Sequence, residues 1–151
     1  MKRRVVISGL GIVSPVGNTI EDFARSLREG ISGKDPGEFS EVYGFQFPPV
    51  FFVKNFDPHH HGTHLLDPFI QYAVAAAEDA VKDAGFDVAA VDPYRIGLSV
   101  SSSKGGVHTL DRFKERFLRN PSAIMGARIY TSAVPNFADQ WIARKMKIKG
   151  P

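Results

Sequence analysis

The sequence contains no cysteine. That absence removes disulfide staples, thiolate metal sites and a cysteine nucleophile from these residues. Long apolar runs are missing as well: none approaches the roughly 20 residues that a membrane-spanning helix needs. No block of Lys/Arg accompanies the net charge of +3, so the basic excess suits an acidic partner without pointing to nucleic acid. The basic start MKRRVVISGL is interrupted by glycine and then Pro15. No signal-peptidase pattern follows it, so a cytoplasmic location is expected, with no membrane contact. Internal repeats and low-complexity tracts are lacking too. What remains is a 151-residue chain with 43% apolar and 23% charged residues, the composition of one soluble globular domain.

Strand-like and helix-like stretches alternate along it. Arg4 to Gly11 is a short β-branched run bounded by glycines and predicts a buried strand. Asn18 with Glu21 resembles a capping box, and Ile20, Phe23, Ala24 and Leu27 form a helical stripe ending at Gly30. Residues 31–64 are punctuated by glycine and proline yet rich in aromatics, among them Phe39, Tyr43, Phe47, Phe51, Phe52 and Phe56. Disordered linkers are not so aromatic. A packed irregular excursion is expected, with one short strand near Val50 to Val53.

Asp67 followed by Pro68 is a strong helix start. Leu66, Phe69, Ile70, Ala73, Ala77, Ala80, Val81 and Ala84 then hold one face to Gly85, and the alanines predict close approach of a neighbouring element. Arg95 to Val100 predicts a second buried strand, running into Ser101–Gly106, SSSKGG. Leu110, Phe113, Phe117 and Leu118 mark another helix. In the last stretch Asn136 is the expected cap of a helix with Phe137, Ala138, Trp141, Ile142 and Met146 on its apolar face. This alternation favours an α/β fold with a largely parallel sheet.

Three patterns invite a chemical reading. Gly9-Leu-Gly11-Ile-Val-Ser14 approximates the dinucleotide fingerprint, but serine replaces its third glycine and no acidic residue closes a second strand at the required distance. Ser101-Ser-Ser-Lys104 matches the SxxK of serine acyl enzymes without either supporting motif. A glycine-rich turn between strand and helix, able to pass close to a ligand, is the preferred reading. His59, His60, His61 and His64 offer imidazoles to a metal, but no Asp, Glu or Cys completes a set. They are read as a titratable surface loop, and neither metal nor cofactor is expected.

Four stretches together resemble one family. RVVISGLGIVSPVGN resembles the opening of the β-ketoacyl-acyl carrier protein synthases. LLDPFIQYAVAAAEDAVKDAG is similar to their next helix, IGLSVSSSKGG to their strand and glycine turn, and VPNFADQWIARKMKIKGP to the helix before their nucleophile. The matches fall in family order across essentially the whole chain. The resemblance implies the N-terminal part of a thiolase-like fold, α/β with a mixed, mostly parallel sheet and flanking helices, incomplete because that fold has two similar halves. Residues 1–151 then form a single domain or fragment.

In that family a cysteine attacks an acyl thioester, two histidines promote decarboxylation of a malonyl thioester, and the enolate attacks the acyl group. The cysteine follows the G-P matched by Gly150-Pro151, and the histidines come later still, so this chain carries none of the three and is expected to be inactive alone. Pro68, Gln140 and Lys104 also depart from the usual residues.

By the resemblance, Lys104, Gly105 and Gly106 wall the substrate site, with Ile129, Asn136 and Phe137 near the acyl tunnel or the dimer contact. His60, His61 and His64 occupy a stretch that docks the acidic acyl carrier protein, an interaction expected to strengthen as pH falls through about 6.5, where histidines gain charge. A homodimer is implied for full-length relatives. An unpaired sheet edge and an exposed helix face would favour self-association of this chain, or partial disorder in the Ile31–His64 stretch and near the C-terminus. The rival reading is a non-catalytic binding or dimerisation module akin to a chain-length factor.

Overall fold

The computed structural model describes residues 3–35, 41–42, 45–46, 49–122, 126 and 129–151. Its elements run α1 (Ile20–Glu29), β1 (Lys34–Asp35), β2 (Glu41–Val42), β3 (Phe45–Gln46), β4 (Val50–Phe51), α2 (Pro68–Asp83), α3 (Val107–Arg119), α4 (Tyr130–Ala133) and α5 (Phe137–Met146). Two short 3-10 turns, Val88–Ala90 and Pro93–Arg95, lie between α2 and α3.

The centre is α2 packed on α5. Ile70, Val74, Ala138 and Ile142 are buried where the two meet, and Leu66, Phe69, Ala73, Phe137, Trp141 and Met146 surround them. The apolar spacing of both segments puts these side chains on single helical faces. Leu98 and Val100 cover the same cluster from the extended segment before the glycine turn.

The two predicted strands take another form. Among the described residues, hydrogen-bonded strands are confined to two antiparallel pairs, β1 with β4 and β2 with β3. Residues 4–11 run without ladder bonds, and Val5 and Ile7 are 95% and 83% exposed. β-branched composition favours an extended backbone but cannot supply a partner strand. Residues 95–100 are likewise outside any ladder; there Leu98 N donates to Pro151 O at 3.0 Å.

Residues 4–11 are held instead by helix contact. Side chains at Gly9 or Gly11 would overlap the backbone of α2 at Ala80 and Ala76. The alanine run expected to admit a close neighbour does so, and Leu10 N donates to Asp83 Oδ2 at 2.8 Å.

Several caps differ from expectation. Thr19, not Asn18, caps α1, its Oγ1 accepting from Asp22 N at 3.1 Å. Asn18 is diverted, its Nδ2 donating to Lys54 O at 2.7 Å. Within α1 the stripe residue Leu27 is 63% exposed, and the buried member is Ser26. Its Oγ donates to Val16 O at 2.7 Å. Asn136 precedes α5 in helical conformation and makes no side-chain cap bond.

α5 ends through Lys147 in the left-handed region, with Ile148 N donating to Ala143 O at 2.9 Å. The short strand expected near Val50 is β4, and its partner is β1. Phe51 and Phe52 are exposed, whereas Phe56 packs edge-on against Tyr72 with centroids 5.0 Å apart. Phe39, Tyr43 and Phe47 lie outside the described residues. α3 forms as expected, yet none of its residues is buried.

Candidate functional site

Two clusters of polar chemistry sit along α2, one at its N-terminus and one beside its middle. At the N-terminus the Ser101–Gly106 turn lies against Phe69, whose ring would be 3.2 Å from a Cβ at Gly105. Gly106 adopts φ 64° and leaves no room for a side chain against the Ala133 backbone. The constraint at Gly106 requires glycine. The turn therefore meets the end of α4 at Ala133, with Ile129 just before α4 and Asn136 and Phe137 three and four residues beyond Ala133.

Ile129 anchors the start of α4, its O accepting from Ala133 N at 2.8 Å. Phe137 packs on the core cluster, and Asn136 is exposed. Lys104 is exposed at the tip of the turn. The engaged hydroxyl is that of Ser102, which accepts from Gly105 N at 3.0 Å. The serine pattern thus works locally as a turn.

The second cluster is the histidine loop. It folds back along α2, so that His61 Nδ1 donates to Glu78 Oε2 at 2.7 Å. Lys145 of α5 places Nζ 2.7 Å from Glu78 Oε1 and donates to His61 O at 2.6 Å. Burial by itself raises the Glu78 pKa. Hydrogen bonds from Lys145 and His61, with their charges, outweigh it and hold the carboxyl below its usual range.

The His61 ring lies parallel to Phe56, and the His59 and His64 rings stack at 4.2 Å. His60 and His64 are exposed, whereas His61 is turned inward. His60 and His61 also line a small open cavity of about 160 Å³ with Asn18, Asn55, Phe56 and Asp57. Among the described residues no group of three or more His, Cys, Asp or Glu is disposed to hold a metal ion. Gly9 and Gly11 face the backbone of α2, so no phosphate fits between them and that helix.

Sequence reasoning missed Glu78 and Lys145, which nothing in the order of residues connects. It found Asp67 as a cap but not its second bond. Asp67 is 3% exposed and accepts from Phe69 N at 3.2 Å and from Thr109 N at 2.8 Å. Burial, then the Asp67 charge, pushes the nearby Tyr72 phenol above its ordinary value.

Comparison with known proteins identifies the family. The family described as "Beta-ketoacyl synthase, N-terminal domain" matches residues 2–151. The 3-oxoacyl-[acyl-carrier-protein] synthase 2 of Coxiella burnetii is 30% identical over 99% of this chain and 37% of its own length. That of Vibrio harveyi is 35% identical over 73% of this chain and 28% of its own. The chain thus spans little more than a third of the curated relatives it matches.

Among solved structures, the ishigamide ketosynthase/chain length factor superposes with a TM-score of 0.84 at 28% identity, over 98% of this chain and 38% of that one. A type II polyketide ketosynthase complexed with its acyl-carrier protein gives 0.78 at 22% identity, over 99% and 41%. The architecture is that of the N-terminal part of a thiolase-like fold. Among the described residues, no helix is long and apolar enough to cross a membrane. The chain belongs to the β-ketoacyl synthase family, in which it matches the N-terminal domain.

Proposed function

We propose that this chain is the N-terminal portion of a 3-oxoacyl-[acyl carrier protein] synthase, an acyltransferase performing decarboxylative Claisen condensation in fatty acid or polyketide synthesis. The observation that carries this reading is the family match over residues 2–151, reinforced by synthase relatives at about 30% identity. The catalytic cysteine and histidines of such enzymes are not among these 151 residues. The role assigned to this chain is scaffolding: Lys104, Gly105, Gly106, Ile129, Asn136 and Phe137 form part of the acyl-binding wall.

The same reading makes acyl carrier protein the partner and an acyl thioester the ligand, with a homo-oligomer as the assembly. His60 and His64, exposed ahead of α2, are the carrier-facing imidazoles, and His61 holds their loop in place. Lys104 stands exposed at that turn, and its charged side chain either narrows or alters the acyl preference relative to an apolar residue there or points away from the acyl chain, because an ammonium beside an alkyl chain is costly to bury.

A second reading is a non-catalytic, chain-length-factor-like module, favoured by the superposition on a ketosynthase/chain length factor. Reading the coding frame beyond Pro151 separates the two. A cysteine soon after Gly150-Pro151 and two later histidines support the enzyme, and another residue at the cysteine position supports the module. A condensation assay with malonyl and acyl carrier protein thioesters tests the scaffolding role. No turnover is expected from the 151 residues alone, and measurable elongation by them would refute the scaffolding role.

A further inference from the structure

α3 opens on Gly106, which has no side chain to cap it. The first amides of a helix are orphan donors unless something nearby accepts them. Here the acceptor comes from another element: Thr109 N donates to Asp67 Oδ2 at 2.8 Å, across 42 residues of sequence. The other oxygen, Oδ1, accepts from Phe69 N at 3.2 Å and caps α2. One buried carboxylate therefore closes the N-termini of two helices, and both dipoles favour its negative charge. Phe69, the residue Asp67 caps, also supplies the ring beneath Gly105. Gly106 is pressed on the far side by the Ala133 backbone.

We propose that Asp67 is the positioning residue of the Ser101–Gly106 turn. By bonding both helix starts it fixes the turn relative to α2, and so fixes how Gly105 lies on Phe69 and Gly106 on Ala133. An aspartate that served only to begin α2 would need one oxygen; this one uses both. The consequence for acyl binding rests on the function proposed above, whereas the coupling of turn to helix does not.

Amide hydrogen exchange by NMR on the 151-residue chain tests the coupling. Asp67→Ser keeps a hydroxyl that caps α2 but cannot serve both helices. Expected is protection at Phe69 and Ile70 within about twofold of the parent, with Thr109 and Gly105 exchanging about tenfold faster. Equal loss at both helix starts, or unchanged protection of Thr109 and Gly105, overturns the proposal.

Thr109→Pro is the second variant, because it deletes the donor in the first turn of α3 and leaves the α2 cap untouched. It should accelerate exchange at Gly105 while sparing Phe69 and Ile70, and an unmoved Gly105 counts against the coupling. Should the condensation reading fail, the coding frame beyond Pro151 registers it by another residue at the cysteine position, and these exchange patterns stand unaffected.

Discussion

His61 and Glu78, separated by 17 residues, meet at 2.7 Å and so tie the histidine loop to the middle of α2. Lys145 closes the arrangement from α5 by bonding the same carboxylate and the His61 carbonyl. Three elements thus share one carboxylate, and that carboxylate should leave a mark on the pH dependence of stability.

The Glu78 carboxyl lies below its ordinary value of 4.5, because bonds from Lys145 and His61 outweigh the effect of burial. A depressed carboxylate pKa contributes stability above the unfolded value, lost as pH falls through the folded one. Glu78→Gln should therefore cost about 0.5–1 kcal/mol at pH 7, modest because the site is partly screened by solvent. The deficit should shrink below pH 4.5. Urea unfolding of both proteins at pH 7, 5 and 3.5 measures it, and a deficit constant into acid would contradict the pairing.

Gly11→Ala should destabilise the chain by about 1–3 kcal/mol, since the new methyl overlaps the Ala76 carbonyl and neither backbone can retreat cheaply. Thermal unfolding reports the loss. A variant as stable as the parent would mean that residues 4–11 do not lie on α2.

Ile142→Ala empties a position that is 2% exposed between α2 and α5, and should cost about 2–5 kcal/mol. Leu118→Ala on α3, at a site 70% exposed, should stay within about 0.5 kcal/mol. Trp141 fluorescence during denaturation compares the two. Similar losses at both would show that α3 is covered in solution.

Lys147 ends α5 at φ 58° without being glycine. Replacing it with glycine should stabilise the chain by about 1 kcal/mol by relieving Cβ crowding in the left-handed region. An unchanged or lower Tm would indicate that the lysine side chain contributes more than the strain it causes.

The helices were legible because their signals are local. Asp67-Pro68 marks a start that the chain uses, and the apolar spacing of α2 and α5 names the core directly. The cap of α1 slipped by one residue, from Asn18 to Thr19, because both are good caps and a tertiary bond to Lys54 claimed Asn18. The strand readings at 4–11 and 95–100 recovered the extended backbone and not a ladder, since pairing depends on a partner that composition cannot report.

At the site, the glycine turn and the histidines stood out by type. The bonds that organise them, Asp67 to Thr109 and Glu78 to Lys145, link distant residues of ordinary kinds and left no pattern to find.

The contact of Gly9 and Gly11 with the alanine ridge of α2 has a directional consequence. With no side chain between them, the extended segment sits on the helix like a rail on its bed and cannot roll about its own axis. The way Val5, Val6 and Ile7 point is thereby tied to a helix backbone more than 60 residues away in sequence. Anything that is to meet those three side chains finds them already aimed.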